Sequence, residues 1–96
     1  MAEYRLSPAA QRDLDAVFDY TVAHWGLAQA VRYAERIETA CADLADAPQQ
    51  GQGCASIRPG YRRRSVEQHV IYFRPTDYGI AVVRILHQRM DPARHL

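Results

Sequence analysis

Apolar residues recur at intervals of three and four from Pro8 to His24: Ala10, Leu14, Val17, Phe18 and Thr21, with Trp25 just beyond. That is the period of an amphipathic helix. Gly26 closes it, and a second stripe of Ala30, Tyr33, Ala34, Ile37, Cys41 and Leu44 predicts a helix from about Leu27 to Ala47, stopped by Pro48, Gly51 and Gly53. So short a connection makes the two helices an antiparallel hairpin. The period then drops to two, in runs rich in Val, Ile, Tyr and Phe. Strands are predicted at Tyr61–Val66, Gln68–Arg74 and Ile80–His87, joined by a tight Glu67-Gln68 connection and by the turn Thr76-Asp77-Tyr78-Gly79. Glu3–Leu6 alternates as a short first strand.

Two Pro-containing pairs mark helix starts: Ser7 before Pro8, and Asp91 before Pro92, where residues 93–96 are expected to form one turn. Ser7 is therefore read as a cap and not as a nucleophile. The fold class expected is α+β, one domain over residues 1–96, with an N-terminal strand, an antiparallel helical hairpin and a three-stranded antiparallel β-meander. One face of such a sheet packs on the helices and the other is left open. The register of the last hairpin decides which side chains line each face. Arg84 interrupts an apolar strand, and with Val83 and Ile85 turned to the helices it is expected on the open face. Asp13, Asp15 and Asp19 are read as the solvated side of the first helix. Trp25 is read either as core or as a partner contact.

Composition adds a division of charge. Residues 1–56 hold four arginines and eight acids, a balance of −4, whereas residues 57–96 hold eight arginines and three acids, a balance of +5. All twelve cations are arginine. That favours planar, bidentate contacts to carboxylate or phosphate and excludes lysine-based Schiff-base or general-base chemistry. No apolar run approaches the ~20 residues of a membrane helix, and the N-terminus carries no signal-peptide core, so a soluble cytoplasmic protein is expected.

Candidate chemistry is sparse. Cys41 and Cys54 are read as two inert thiols, and His24, His69, His87 and His95 lack metal-site spacing, so neither a metal nor a cofactor is expected. No phosphate-binding loop, dinucleotide glycine pattern or nucleophile elbow occurs. What stands out is Arg62, Arg63, Arg64, Arg74, Arg84 and Arg89 with His87, dense enough to suggest a binding surface for an acidic protein segment or nucleic acid.

The segments LSPAAQRDL (6–14), YTVAHWG (20–26), IRPGYRR (57–63), HVIYFR (69–74) and VRILHQRMD (83–91), in this order, resemble the ParE branch of the RelE/ParE toxin superfamily. The resemblance implies a bacterial type II toxin that poisons DNA gyrase without being an enzyme, and that forms a heteromeric complex with a cognate ParD-like antitoxin. It implies no membrane association and no direct sequence-specific nucleic-acid binding. The target-binding candidates are Arg62, Arg63, Arg64, Arg74, Arg84, His87 and Arg89. Those for the antitoxin are Trp25, Arg63, Arg74 and Arg84, with the basic open face of the sheet and the groove beside the helical hairpin as seats for an acidic amphipathic segment that folds on binding. The RelE branch instead cuts mRNA on the ribosome. On that alternative Arg84, His87 and Arg89 are the candidate catalytic group, with His87 moving the proton. The chain has no Lys and no Tyr after Arg89, both of which depart from the RelE pattern.

Overall fold

A computed structural model describes residues 2–96. The order is β1 (Glu3–Leu6), α1 (Pro8–Trp25), α2 (Leu27–Asp46), a 3-10 turn (Pro48–Gln50), β2 (Gln52–Gly53), β3 (Arg62–Val66), β4 (His69–Pro75), β5 (Gly79–His87) and a final 3-10 turn (Pro92–Arg94). Both caps form: the Ser7 hydroxyl accepts from the Ala10 amide at 3.0 Å, and the Asp91 carboxylate accepts from the Ala93 amide at 3.0 Å. Gly26 takes φ +90° between the helices, a value that side-chain-bearing residues rarely adopt.

The sheet is mixed, in the order β1-β5-β4-β3-β2, which corrects the purely antiparallel expectation. The segment β3-β4-β5 is an antiparallel meander, but β1 runs parallel to β5, pairing Glu3 with Gly79 and Leu6 with Val82. A parallel neighbour needs a long connection, here residues 7–78: the helical hairpin carries the chain across to β2 at the far edge, and the meander returns it to β5 beside β1. Gly79 permits the pairing, because a Cβ there would lie 2.1 Å from the Glu3 carbonyl oxygen. The loop expected at 49–56 instead folds into the first 3-10 turn and β2, which pairs with Arg62 and Arg63.

Between the helices and the sheet lies the main core, including Leu14, Ile37, Leu44, Ile71, Phe73, Ile80, Val82 and Ile85. Fully burying side chains of this size contributes about 1.5–3 kcal/mol each. The other face is not left bare: Cys54, Val70, Tyr72 and Leu86 form a second cluster, covered by Ile57, Tyr61 and Leu96. Both cysteines are free and buried, and burial pushes the Cys41 thiol up to about 12.

A register shift between Tyr72 and Phe73 leaves Val83 as an extra residue, since Tyr72 pairs with Arg84 and Phe73 with Val82. Val82 and Ile85 face the helices in place of the expected Val83 and Ile85. Arg84 shares a register position with Tyr72, on the non-helical face, yet its guanidinium is not open. It donates to both oxygens of Asp13, at 2.7 and 2.9 Å, and to the His95 carbonyl at 3.2 Å. Asp13 also accepts from the Ile85 amide at 3.0 Å, past the point where β1 has ended. This corrects the assignment of Asp13 to a solvated face: it tethers α1 to the edge of β5. Asp15 and Asp19 are exposed as expected.

Candidate functional site

Strand alternation sorts the arginines. Arg62 and Arg64 pair with Phe73 and Ile71, whose side chains lie in the main core, so they take the helical side. Arg62 is consumed locally, donating to the carbonyls of Pro48, Gln49 and Gly51. Arg64 lines a second hollow with Arg36 and Asp43 of α2. Arg63 pairs with Tyr72, and Arg74 pairs with Ala81, both on the opposite face. The seven target candidates thus do not form one surface. Nor do the antitoxin candidates, because Trp25 belongs to the helices whereas Arg63, Arg74 and Arg84 belong to the far side of the sheet.

Trp25 is 73% exposed, which overturns its reading as core. Tyr20 and Leu27 are 62% exposed, and Val22 and Val31 are exposed as well. The tip of the helical hairpin therefore presents several large apolar side chains to solvent, the kind of group that marks an interaction surface where it is contiguous. The Tyr20 ring stacks on His24 with centroids 3.9 Å apart, which holds it in place.

Beneath this tip a cleft of about 550 Å³ opens between the helices and the end of the sheet. Val17, Tyr20, Thr21 and Trp25 of α1 and Tyr33 of α2 form its helical wall, and His69 of β4 and His87 of β5 are at its other side. His69 and His87 are register partners on adjacent strands, and their rings meet edge-on with centroids 5.3 Å apart. The Tyr33 hydroxyl lies 2.6 Å from Nδ1 of His69 and 3.2 Å from the Val66 carbonyl, to which it donates. His87 Nδ1 accepts from the Arg89 amide at 3.1 Å, so in the neutral ring the proton sits on Nε2. Burial and the neighbouring His87 hold His69 below the usual histidine range, against a smaller opposing pull from Asp13. Burial raises the Tyr33 hydroxyl.

Tyr20, Leu27, Tyr33 and His69 were not singled out from sequence. Tyr33 looks like one more member of a helical stripe, and only the pairing of β4 with β5 brings His69 to His87. The three candidates for ribonuclease chemistry are dispersed: Arg84 is tied to Asp13 on the far side of the register, His87 faces the cleft, and Arg89 lies beyond the strand. Among the described residues no group of three or more His, Cys, Asp or Glu could hold a metal ion, and no helix is long and apolar enough to cross a membrane.

Residues 4–92 match the family described as "ParE toxin of type II toxin-antitoxin system, parDE". The chain is 45% identical over 96 residues to a protein of Mycobacterium tuberculosis named Toxin ParE1, covering 99% of this chain and 98% of the relative. It is 36% identical over 96 residues to a Toxin ParE1 of Caulobacter vibrioides, covering 100% and 99%. A solved structure described as "Chromosomal ParDE TA system from P. aeruginosa" superposes with a TM-score of 0.77 at 28% identity, covering 91% of this chain and 96% of that one.

Proposed function

The chain belongs to the ParE toxin family of type II toxin–antitoxin systems, the ParE branch of the RelE/ParE superfamily, and from that premise we propose that it acts by binding and obstructing DNA gyrase. In this reading it has no catalytic activity of its own, and a cognate ParD-like antitoxin in the same cytoplasm neutralises it. The observation that carries the non-catalytic reading is the separation of Arg84, His87 and Arg89. Cleaving a phosphodiester needs a proton-transfer group and a charge stabiliser aimed at one reacting centre. Here Arg84 is held by Asp13, and Nδ1 of His87 is already occupied by a backbone amide.

The antitoxin's seat in this proposal is the apolar tip and cleft of the helical hairpin. Exposed Trp25, Tyr20 and Leu27 provide the aromatic and aliphatic anchors on which binding energy concentrates. An amphipathic segment can lay its apolar face there in the helix-in-groove mode.

A supercoiling assay with purified gyrase tests the target. Added toxin is expected to inhibit supercoiling or accumulate cleaved plasmid, and pre-mixed antitoxin is expected to restore activity. Unaffected gyrase at excess toxin, together with cleaved mRNA in cells expressing the chain, would overturn the reading in favour of a ribosome-dependent ribonuclease.

A further inference from the structure

We propose that the sheet face turned away from the helices carries a sequence-independent binding site for the phosphodiester backbone of duplex DNA, centred on Arg5, Arg63 and Arg74. Arg5 of β1 and Arg74 of β4 are both register partners of Ala81 on the intervening β5. Two guanidinium-bearing strands thus flank a small side chain, with backbones about 9.5 Å apart, twice the strand spacing. Arg63 sits opposite Tyr72, two residues before Arg74 on the same face. Its diagonal neighbour is therefore Arg74, at about 7–8 Å. Arg58 adds a fourth cation over the ring of Tyr61, 5.5 Å from its centroid.

Charge on this corner is poorly compensated. Glu3 pairs with Arg5, but among the described residues Arg63 and Arg74 have no ion-pair partner. Arg84 shares the face but is excluded from the site, because Asp13, in a largely buried pair, and the His95 carbonyl hold it, whereas the Arg5–Glu3 pair is more than half exposed on both sides and so exchanges readily for a phosphate. Forked guanidinium donors match phosphate oxygens in pairs.

Two features select the ligand. The large exposed apolar side chains lie on the helical hairpin or at Met90, not at this corner. An acidic peptide that orders on binding has to bury apolar area to offset its lost entropy, and here it finds charge without an anchor. Single strands bind largely by stacking bases on open aromatic rings. Tyr72 is 3% exposed, and Arg5 and Arg58 lie over Tyr78 and Tyr61. A duplex, whose outer surface is a continuous run of phosphates, needs neither feature. The choice of DNA over RNA rests on the gyrase reading, which places the chain beside duplex DNA.

The test is fluorescence anisotropy of a short mixed-sequence DNA duplex titrated with the full chain at several salt concentrations. Phosphate contacts by Arg5, Arg63 and Arg74 predict a log–log salt slope of about −2.7, and one more by Arg58 takes it to about −3.6. Arg63→Ala and Arg74→Ala are each expected to reduce its magnitude by about 0.9, whereas Trp25→Ala leaves it unchanged. Arg74→Glu is expected to weaken binding further than Arg74→Ala. These are exposed or half-exposed positions, and circular dichroism checks that the variants fold. Absence of binding at low salt, an unaltered slope in both arginine variants, or tighter binding of poly-glutamate, single-stranded DNA or duplex RNA would each overturn the proposal. Naked duplex is read without gyrase, so a chain that binds DNA with this arginine dependence yet leaves gyrase untouched upholds the site and refutes only the gyrase reading.

Discussion

Asp13 and Arg84, 71 positions apart, form a two-pronged ion pair whose side chains retain only 15% and 22% of their exposure. The same carboxylate accepts the Ile85 amide, so one side chain meets both a charge and a backbone donor at the edge of β5. Removing it strands both. Asp13→Ala is expected to destabilise the fold by about 2–4 kcal/mol, and Asp13→Asn, which retains an acceptor oxygen, by about half as much. Urea unfolding of the three proteins checks the order, and a cost below about 1 kcal/mol for Asp13→Ala would show the pair to be an ordinary surface bridge.

Gly79 makes a different kind of demand. Its φ of +142° and the 2.1 Å approach of a hypothetical Cβ to the Glu3 carbonyl leave no room for a side chain where β1 joins β5. The obstructing atom is backbone, which cannot rotate away. Gly79→Ala is expected to cost more than about 3 kcal/mol or to detach β1. Hydrogen exchange at the Glu3 amide, which donates to the Tyr78 carbonyl at 2.8 Å, reports the detachment directly. Protection equal to the parent's would count against it.

The helices were legible because their stripes and caps are local signals: Ser7 and Asp91 cap as their positions before proline imply. The three long strands were legible for the same reason. The partner of β1 was not, since a four-residue strand has no feature that distinguishes a parallel from an antiparallel neighbour. The extra residue at Val83 shifts which side chains face the helices, and strand alternation alone cannot locate such a shift. The role of Asp13 follows from that bulge and from the early end of β1, so it was hidden as well. Trp25 continues the stripe of α1 by spacing, but it is the last residue of α1, at the tip of the hairpin, where it stays largely exposed at the mouth of the cleft.

His69 links the cleft to pH. Its folded pKa lies below the ordinary 6.5, because burial and His87 disfavour the charged ring. The unfolded chain therefore binds the proton more tightly. Stability from this residue is complete above 6.5 and is lost as pH falls through the folded value. His69→Gln is expected to flatten that part of the stability–pH curve. Unfolding midpoints measured from pH 7.5 down to 5 check this, and an unchanged slope in the variant would assign the dependence elsewhere.

Trp25 separates folding from binding. At 73% exposure it contributes little to the core, so Trp25→Ala is expected to change stability by less than about 0.5 kcal/mol. As an anchor for an antitoxin it would contribute far more: truncating a central aromatic contact costs about 2 kcal/mol or more, which is roughly a 30-fold loss of affinity. Tyr20→Ala should act in the same direction, while Arg74→Ala, on the other side of the sheet, should change antitoxin affinity by less than about threefold. Calorimetric titration of each variant with the antitoxin reads all three. The reverse order, with Arg74 dominant and Trp25 neutral, would move the antitoxin from the helical tip to the arginine face. It would then compete there with DNA, an outcome visible as displacement of the fluorescent duplex by antitoxin.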